Sequence, residues 1–157
     1  MADAEESPER QAASARTFVV NSLGARAQSV AEIEAKLVAR EVPAEIASEV
    51  VVEALRLGYL DDAELAGQLA RGYRSRGYGR RRASVGLRRR RIAPIEAEAA
   101  LDSAYGAEDE AELAAAALGA RAVGDDRERR RAVAFLVRRG FSTGVAWQVV
   151  RSRRAHE

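Results

Sequence analysis

The sequence predicts an all-α fold: an elongated, curved array of three tandem three-helix repeats built from units that resemble helix-turn-helix modules. The first observation behind this is a pattern that recurs about every fifty residues. Leu37, Leu87 and Leu136 are each followed five residues later by an apolar anchor, Val42, Ile92 or Phe141. Fourteen residues before each leucine stands Leu23, Tyr73 or Ala122, and eight beyond each anchor stands Val50, Ala100 or Val149. A unit this small cannot bury its apolar face alone, so stacked copies are the expected solution. The second observation is a set of helix start and stop signals placed in the same order in each unit. The third is negative: no segment alternates apolar and polar residues over the length of a useful strand.

The first unit, 11–58, follows a short acidic segment, 1–10, in which Asp3, Glu5, Glu6 and Glu9 accompany no apolar core. That segment is expected to be disordered and lacks the chemistry of a signal peptide. Ser29-Val30-Ala31-Glu32 is a capping box, in which the serine oxygen and the glutamate each satisfy a backbone N–H left unpaired by the first helical turn. Ile33, Leu37 and Val38 continue that helix as an apolar stripe. Pro43 is expected to be the first residue of the next helix, whose stripe is Ile46, Val50, Val51, Ala54 and Leu55. Gly58 ends it.

The second unit, 59–106, repeats the order. Asp61 caps a helix carrying Leu65, Leu69 and Tyr73, Gly77 and Gly79 break it, a short helix bears Val85 and Leu87, and Pro94 opens a third that Gly106 closes. In the third unit, 107–157, Leu113, Ala117 and Leu118 mark the first helix. Gly124-Asp125-Asp126 is a break with a cap, Val133, Leu136 and Val137 follow, and Gly140-Phe141-Ser142 turns the chain before Val145, Val149 and Val150.

Composition narrows the function classes. Apolar residues make up 47% of the chain, much of it alanine, and aromatic residues only 5%, so the core is expected to be thin and closely packed. There is no cysteine, which excludes disulfides and thiolate chemistry. No stretch approaches the roughly 20 apolar residues that cross a bilayer, so a cytoplasmic protein without a membrane partner is expected. The formal net charge of +2 conceals strong segregation. From Leu65 to Ile95 there is no acid, while Arg71, Arg74, Arg76, Arg80, Arg81, Arg82, Arg88, Arg89, Arg90 and Arg91 fall in that window. From Ile92 to Ala120 the sign reverses through Glu96, Glu98, Asp102, Glu108, Asp109, Glu110 and Glu112. Arg138 and Arg139 restore a basic character in the third unit. A cationic band of this density is expected to bind phosphates or an acidic protein face, because guanidinium makes planar paired hydrogen bonds to both.

Other features have plainer explanations. Gly77-Tyr78-Gly79 lacks the preceding strand of a phosphate loop and reads as a tight turn. Tyr73 shares the repeat position of Leu23 and reads as core, leaving Tyr78 the freer ring. Trp147 sits beside Val145 and Val149 and also reads as core. The acidic segment reads as helix surface rather than metal ligands. His156 is the sole histidine and no nucleophile has an evident base, so neither an enzyme nor a cofactor or metal is expected.

Taken in order, several of these residues carry a family resemblance. Leu23, Arg26, Ser29 and Glu32 lead to Gly58-Tyr59-Leu60-Asp61-Asp62 and Ala66, then to Arg76-Gly77-Tyr78-Gly79 and Leu87, and finally to Arg138-Arg139-Gly140-Phe141-Ser142. The chain resembles the RecX family of recombination regulators from about residue 15 onward. It departs from that pattern at Arg91, where the family usually has glycine in the turn after the second helix, in the dense run Arg88–Arg91, and at Asn21 and Gly24, which make the first helix less regular. The resemblance implies tandem three-helix repeats and a protein that lies in the groove of the RecA recombinase filament on single-stranded DNA; a monomer is expected. There it would touch adjacent subunits, with DNA phosphates as a second contact, and oppose filament growth, ATP hydrolysis, strand exchange and co-protease activity. Two readings stay open beside it: a direct, sequence-independent nucleic-acid-binding protein, and a structural helical adaptor.

Overall fold

The computed structural model describes residues 7–106 and 110–154, with the side chain of Arg154 outside that description. Among the described residues there are nine α-helices and no strand: α1 (Pro8–Ala25), α2 (Val30–Ala39), α3 (Ala44–Arg56), α4 (Asp62–Ser75), α5 (Arg80–Arg89), α6 (Pro94–Tyr105), α7 (Glu110–Leu118), α8 (Asp126–Arg138) and α9 (Thr143–Arg154). Asp3, Glu5, Glu6, Glu108, Asp109 and His156 lie outside the described residues.

The helices start where short polar side chains replace missing backbone partners. Ser29 and Glu32 form the expected capping box of α2, with Ser29 Oγ accepting from Glu32 N–H at 3.1 Å and Glu32 Oε2 accepting from Ser29 N–H at 3.0 Å. A second capping box, Asp125 with Glu128, opens α8. Asp61 Oδ1 accepts from Glu64 N–H at 3.0 Å, and Ser142 Oγ accepts from Val145 N–H at 3.2 Å. Pro43 differs from expectation. It is the residue preceding α3, which begins at Ala44, and no side chain caps that helix. Helix α1 runs unbroken from Pro8 through Asn21 and Gly24, with Ser7 as its cap, because Ala12, Ala15 and Val19 supply a continuous buried stripe.

The described residues form two compact units. The first comprises the described residues up to Leu65 together with Arg90–Ile92, and the second comprises Ala66–Arg89 and the described residues from Ala93 on. In the first unit α1 and α2 pack on α3 around Val19, Ile33, Leu37, Val50, Ala54 and Leu60. In the second, α7, α8 and α9 pack on one another around Leu118, Val123, Leu136, Phe141, Ala146 and Val150, while α5 packs on α6.

The repeat is visible in burial and in backbone geometry. Leu37, Leu87 and Leu136 are each 0% exposed, so truncating any of them to alanine should cost about 2–5 kcal/mol. Four residues after each, the backbone turns left-handed: φ is 58° at Glu41, 55° at Arg91 and 98° at Gly140. The turn drops the next residue into the core, Ile92 at 5% exposure and Phe141 at 1%, with Val42 partly buried. The expected register fails at one point. Ala122 lies beyond the end of α7 and is exposed, and Val123 takes the buried position instead, because α7 ends at Leu118 and the connection to α8 is extended by Gly119.

A candidate interaction surface of arginines and aromatic rings

Two glycine-centred turns in the second unit hold each other. The turn after α4, Arg76-Gly77-Tyr78-Gly79, meets the turn after α8, Arg138-Arg139-Gly140. Gly79 N–H donates to Arg139 O at 2.8 Å and Arg81 N–H donates to Gly140 O at 3.3 Å. Side chains complete the clasp. Arg139 Nη1 donates to Arg76 O at 2.8 Å, and Arg82 Nη1 donates to Arg138 O at 3.2 Å. A Cβ on Gly79 would stand 2.5 Å from Gly140 O, and one on Gly140 would stand 2.5 Å from the Arg82 backbone nitrogen. Glycine is needed at both places because two backbones touch there.

The clasp draws guanidinium groups around one ring. Arg139, Arg82 and Arg76 lie 4.6, 4.9 and 5.9 Å from the centroid of Tyr78. Arg76 also lies 5.0 Å from Tyr73, whose ring meets Tyr78 edge-on at 5.8 Å. Arg139 continues to Phe135 at 5.3 Å, and Arg121 covers Phe135 at 3.8 Å. The result is a ladder of alternating cations and rings, each step favourable through the ring quadrupole. Beneath it, Tyr105 donates its hydroxyl to Tyr78 O at 2.9 Å and is 8% exposed. Burial pushes the Tyr105 phenol up to about 12, so it remains a donor throughout the neutral range. Beside the clasp is an open cavity of ≈ 400 Å³, lined in part by Arg74, Arg76, Tyr78 and Arg139.

The sequence-predicted site residues divide by what they touch. Arg76, Arg82 and Arg139 are in the clasp, and Arg74 is half-buried at its cavity. Arg80 is ion-paired to Glu98 at 2.9 Å and to Asp102 at 2.7 Å, and these hydrogen bonds, Asp102 first, raise its pKa. Arg90, in the first unit, pairs with Glu32 at 2.9 Å and donates to Ala27 O at 2.7 Å. Burial alone would raise the Glu32 carboxyl. Hydrogen bonds from Arg90 and the Ser29 N–H, with the charges of Arg90 and Arg26, outweigh burial and hold it lowered. Arg71, Arg81, Arg88, Arg89, Arg91 and Arg138 are exposed. Arg121, Arg131 and Phe135 were not among the sequence candidates. The signal available was spacing, since Arg131, Phe135 and Arg139 follow at intervals of four residues and so share a face.

Trp147 is half-buried against the core of the second unit, with Arg151 at 5.9 Å from its ring. Among the described residues, no cluster of histidine, cysteine or carboxylate groups is arranged to hold a metal, and no helix is long and apolar enough to cross a membrane.

No family profile matches the sequence. Individual relatives do. The regulatory protein RecX of Deinococcus radiodurans is 36% identical over 146 residues, which span 91% of this chain and 70% of the relative. The chain belongs to the RecX family. The RecX of Mycolicibacterium vanbaalenii agrees, at 32% identity over an alignment of 167 positions covering 99% of this chain and 90% of the relative. Among solved structures, RecX from Lactobacillus salivarius superposes with a TM-score of 0.78 at 17% identity, covering 90% of this chain and 96% of that one. The sequence-level resemblance to RecX and the all-α helical repeat are therefore both borne out. The clasp uses two of the motifs that carried the resemblance, which gives their glycines a structural reason to occur together.

Proposed function

We propose that this RecX-family protein binds the RecA recombinase filament on single-stranded DNA and restrains its ATPase, strand-exchange and co-protease activities. Relatives across most of the chain are named regulatory proteins, which supports a regulatory role. The observation that carries the finer reading is the clasp. It fixes Arg76, Arg82 and Arg139 against Tyr78 in one orientation, so the cations meet an acidic filament surface or its phosphates without first losing rotamer freedom. Arg80 and Arg90 take no part in this reading, because both are consumed by internal acids. The repeats, 11–58, 59–106 and 107–157, would give one molecule contacts to neighbouring recombinase subunits.

The test is the ATPase rate of the cognate recombinase on single-stranded DNA, titrated with this protein at fixed salt, with binding to bare DNA measured in parallel. Inhibition well below one regulator per recombinase, where bare DNA is unbound, is the expected result. Absence of inhibition overturns the reading. A second reading, direct sequence-independent binding of nucleic acid, is favoured by the alternation of rings and guanidiniums and would appear as tight, salt-steep binding to bare DNA.

A further inference from the structure

The backbone of the connection between α7 and α8 is tethered at both ends by side chains of α8 and α9. Arg153 of α9 donates to the carbonyls of Gly119 and Arg121, the latter at 3.3 Å. At the other end, Glu128 Oε2 accepts from Gly124 N–H at 2.9 Å and Asp125 N–H at 3.3 Å, and Arg129 donates to Gly124 O at 3.3 Å. Between these anchors Arg121 lays its guanidinium over Phe135 at 3.8 Å, the separation of stacked flat groups. Arg121 is itself exposed and opens on a groove of ≈ 560 Å³ that Arg131, Phe135 and Arg138 also line. These three lie on one face of α8, at i, i+4 and i+7. The acid at the groove, Glu128, is occupied by the two backbone N–H groups it accepts from.

We propose that Arg121, backed by Phe135, is a stacking platform for a base of single-stranded nucleic acid, with Arg131 and Arg138 receiving the phosphates on either side. Unpaired bases stack on guanidinium planes as they do on aromatic rings, whereas a duplex keeps its base faces inside its own stack. An acidic peptide would be served by the three charges but has no use for a fixed flat surface. The platform extends the filament reading by giving the strand a contact of its own. It requires no recombinase, so it is testable on the strand alone.

The experiment uses the full chain and a fluorescent oligothymidylate, with an abasic strand of equal length and a polyglutamate competitor, across a salt series. Arg121→Lys keeps the charge and removes the plane, and because Arg121 is exposed the change leaves the core intact. The expected result is a loss of affinity of roughly tenfold for oligothymidylate, the order of one base stack, with the salt slope unchanged. The abasic strand should bind the wild-type chain about as weakly as oligothymidylate binds Arg121→Lys, and should not sense the substitution. Arg131→Gln should instead reduce the salt slope by about one. Equal affinity for abasic and base-bearing strands, or displacement by polyglutamate as effective as by strand, overturns the platform. Filament inhibition that persists with no platform signature would sink this inference alone, and a platform signature without filament inhibition would sink the filament reading alone.

Discussion

Replacing Arg91 by glycine should make the protein more stable although it removes a whole side chain. Arg91 is exposed, and its φ of 55° places it in the left-handed region, where Cβ crowds the following carbonyl. Relief of that crowding is worth about 1–2 kcal/mol. Glycine returns about 0.5–1 kcal/mol of this through the greater freedom of its unfolded chain. The net gain expected is therefore about 0.5–1 kcal/mol, and with a urea slope of ~2 kcal/mol/M the unfolding midpoint rises by about 0.3–0.5 M. The assay is urea unfolding followed by far-ultraviolet circular dichroism at fixed pH and salt, with Arg91→Ala as control. Alanine keeps Cβ and discards the rest, so it should not stabilise. If Arg91→Gly leaves the midpoint unchanged or lowers it, or if alanine stabilises equally, the gain cannot come from the left-handed turn and the argument fails.

The same repeat position should respond with the opposite sign in the third unit: Gly140→Ala should cost more than about 2 kcal/mol, read as a fall in the urea midpoint, because φ is 98° there and the new Cβ would meet the Arg82 backbone at 2.5 Å. Glu32 has its folded pKa held below the ordinary glutamate value, so its stabilisation is present above that value and is lost as pH falls through the lowered folded value. Glu32→Gln should flatten this acid limb in stability measured below about pH 4.5. Tyr105 has its folded pKa raised from 10.0 to about 12, so its stabilisation is present below 10 and lost as pH rises toward 12. Tyr105→Phe, which removes one buried hydrogen bond to Tyr78 O, should cost about 1 kcal/mol at neutral pH and lessen the alkaline loss in thermal melts.

Most of the fold was legible because its signals are local. Ser29 and Glu32 are three residues apart, as are Asp125 and Glu128, and each pair closes a capping box without help from elsewhere in the chain. The anchors at Leu37, Leu87 and Leu136 are marked by equally local signals, the helical period and a following turn, although other helices do the burying. Where the register slipped, at Ala122, the reason is equally physical. The count from Leu136 assumed a connection of constant geometry, but Gly119 turns left-handed at φ 57° and Val123 enters the core one residue later.

The site was legible only as a region. Charge density identified the band from Arg71 to Arg91, but whether a given arginine is free depends on what another helix brings to it. Arg80 and Arg81 are neighbours of identical type; the first meets Glu98 and Asp102 of α6, and the second is exposed. Arg90 is claimed by Glu32, fifty-eight residues away. Conversely, Arg121 borders the acidic stretch and carries no signal in composition, yet Arg153 and Phe135 give it a fixed place. Substituting the whole band by glutamate would therefore mix two effects, loss of contacts at Arg81, Arg88 and Arg89 and collapse of internal contacts at Arg80, Arg82 and Arg90. Changing Arg81, Arg88 and Arg89 alone to glutamate separates them, since all three are exposed, none lends a side chain to the clasp and none has a carboxylate partner among the ion pairs of the described residues. The expected result is loss of filament binding with helicity unchanged, and binding that survives the triple change would remove the exposed face of α5 from the proposed surface.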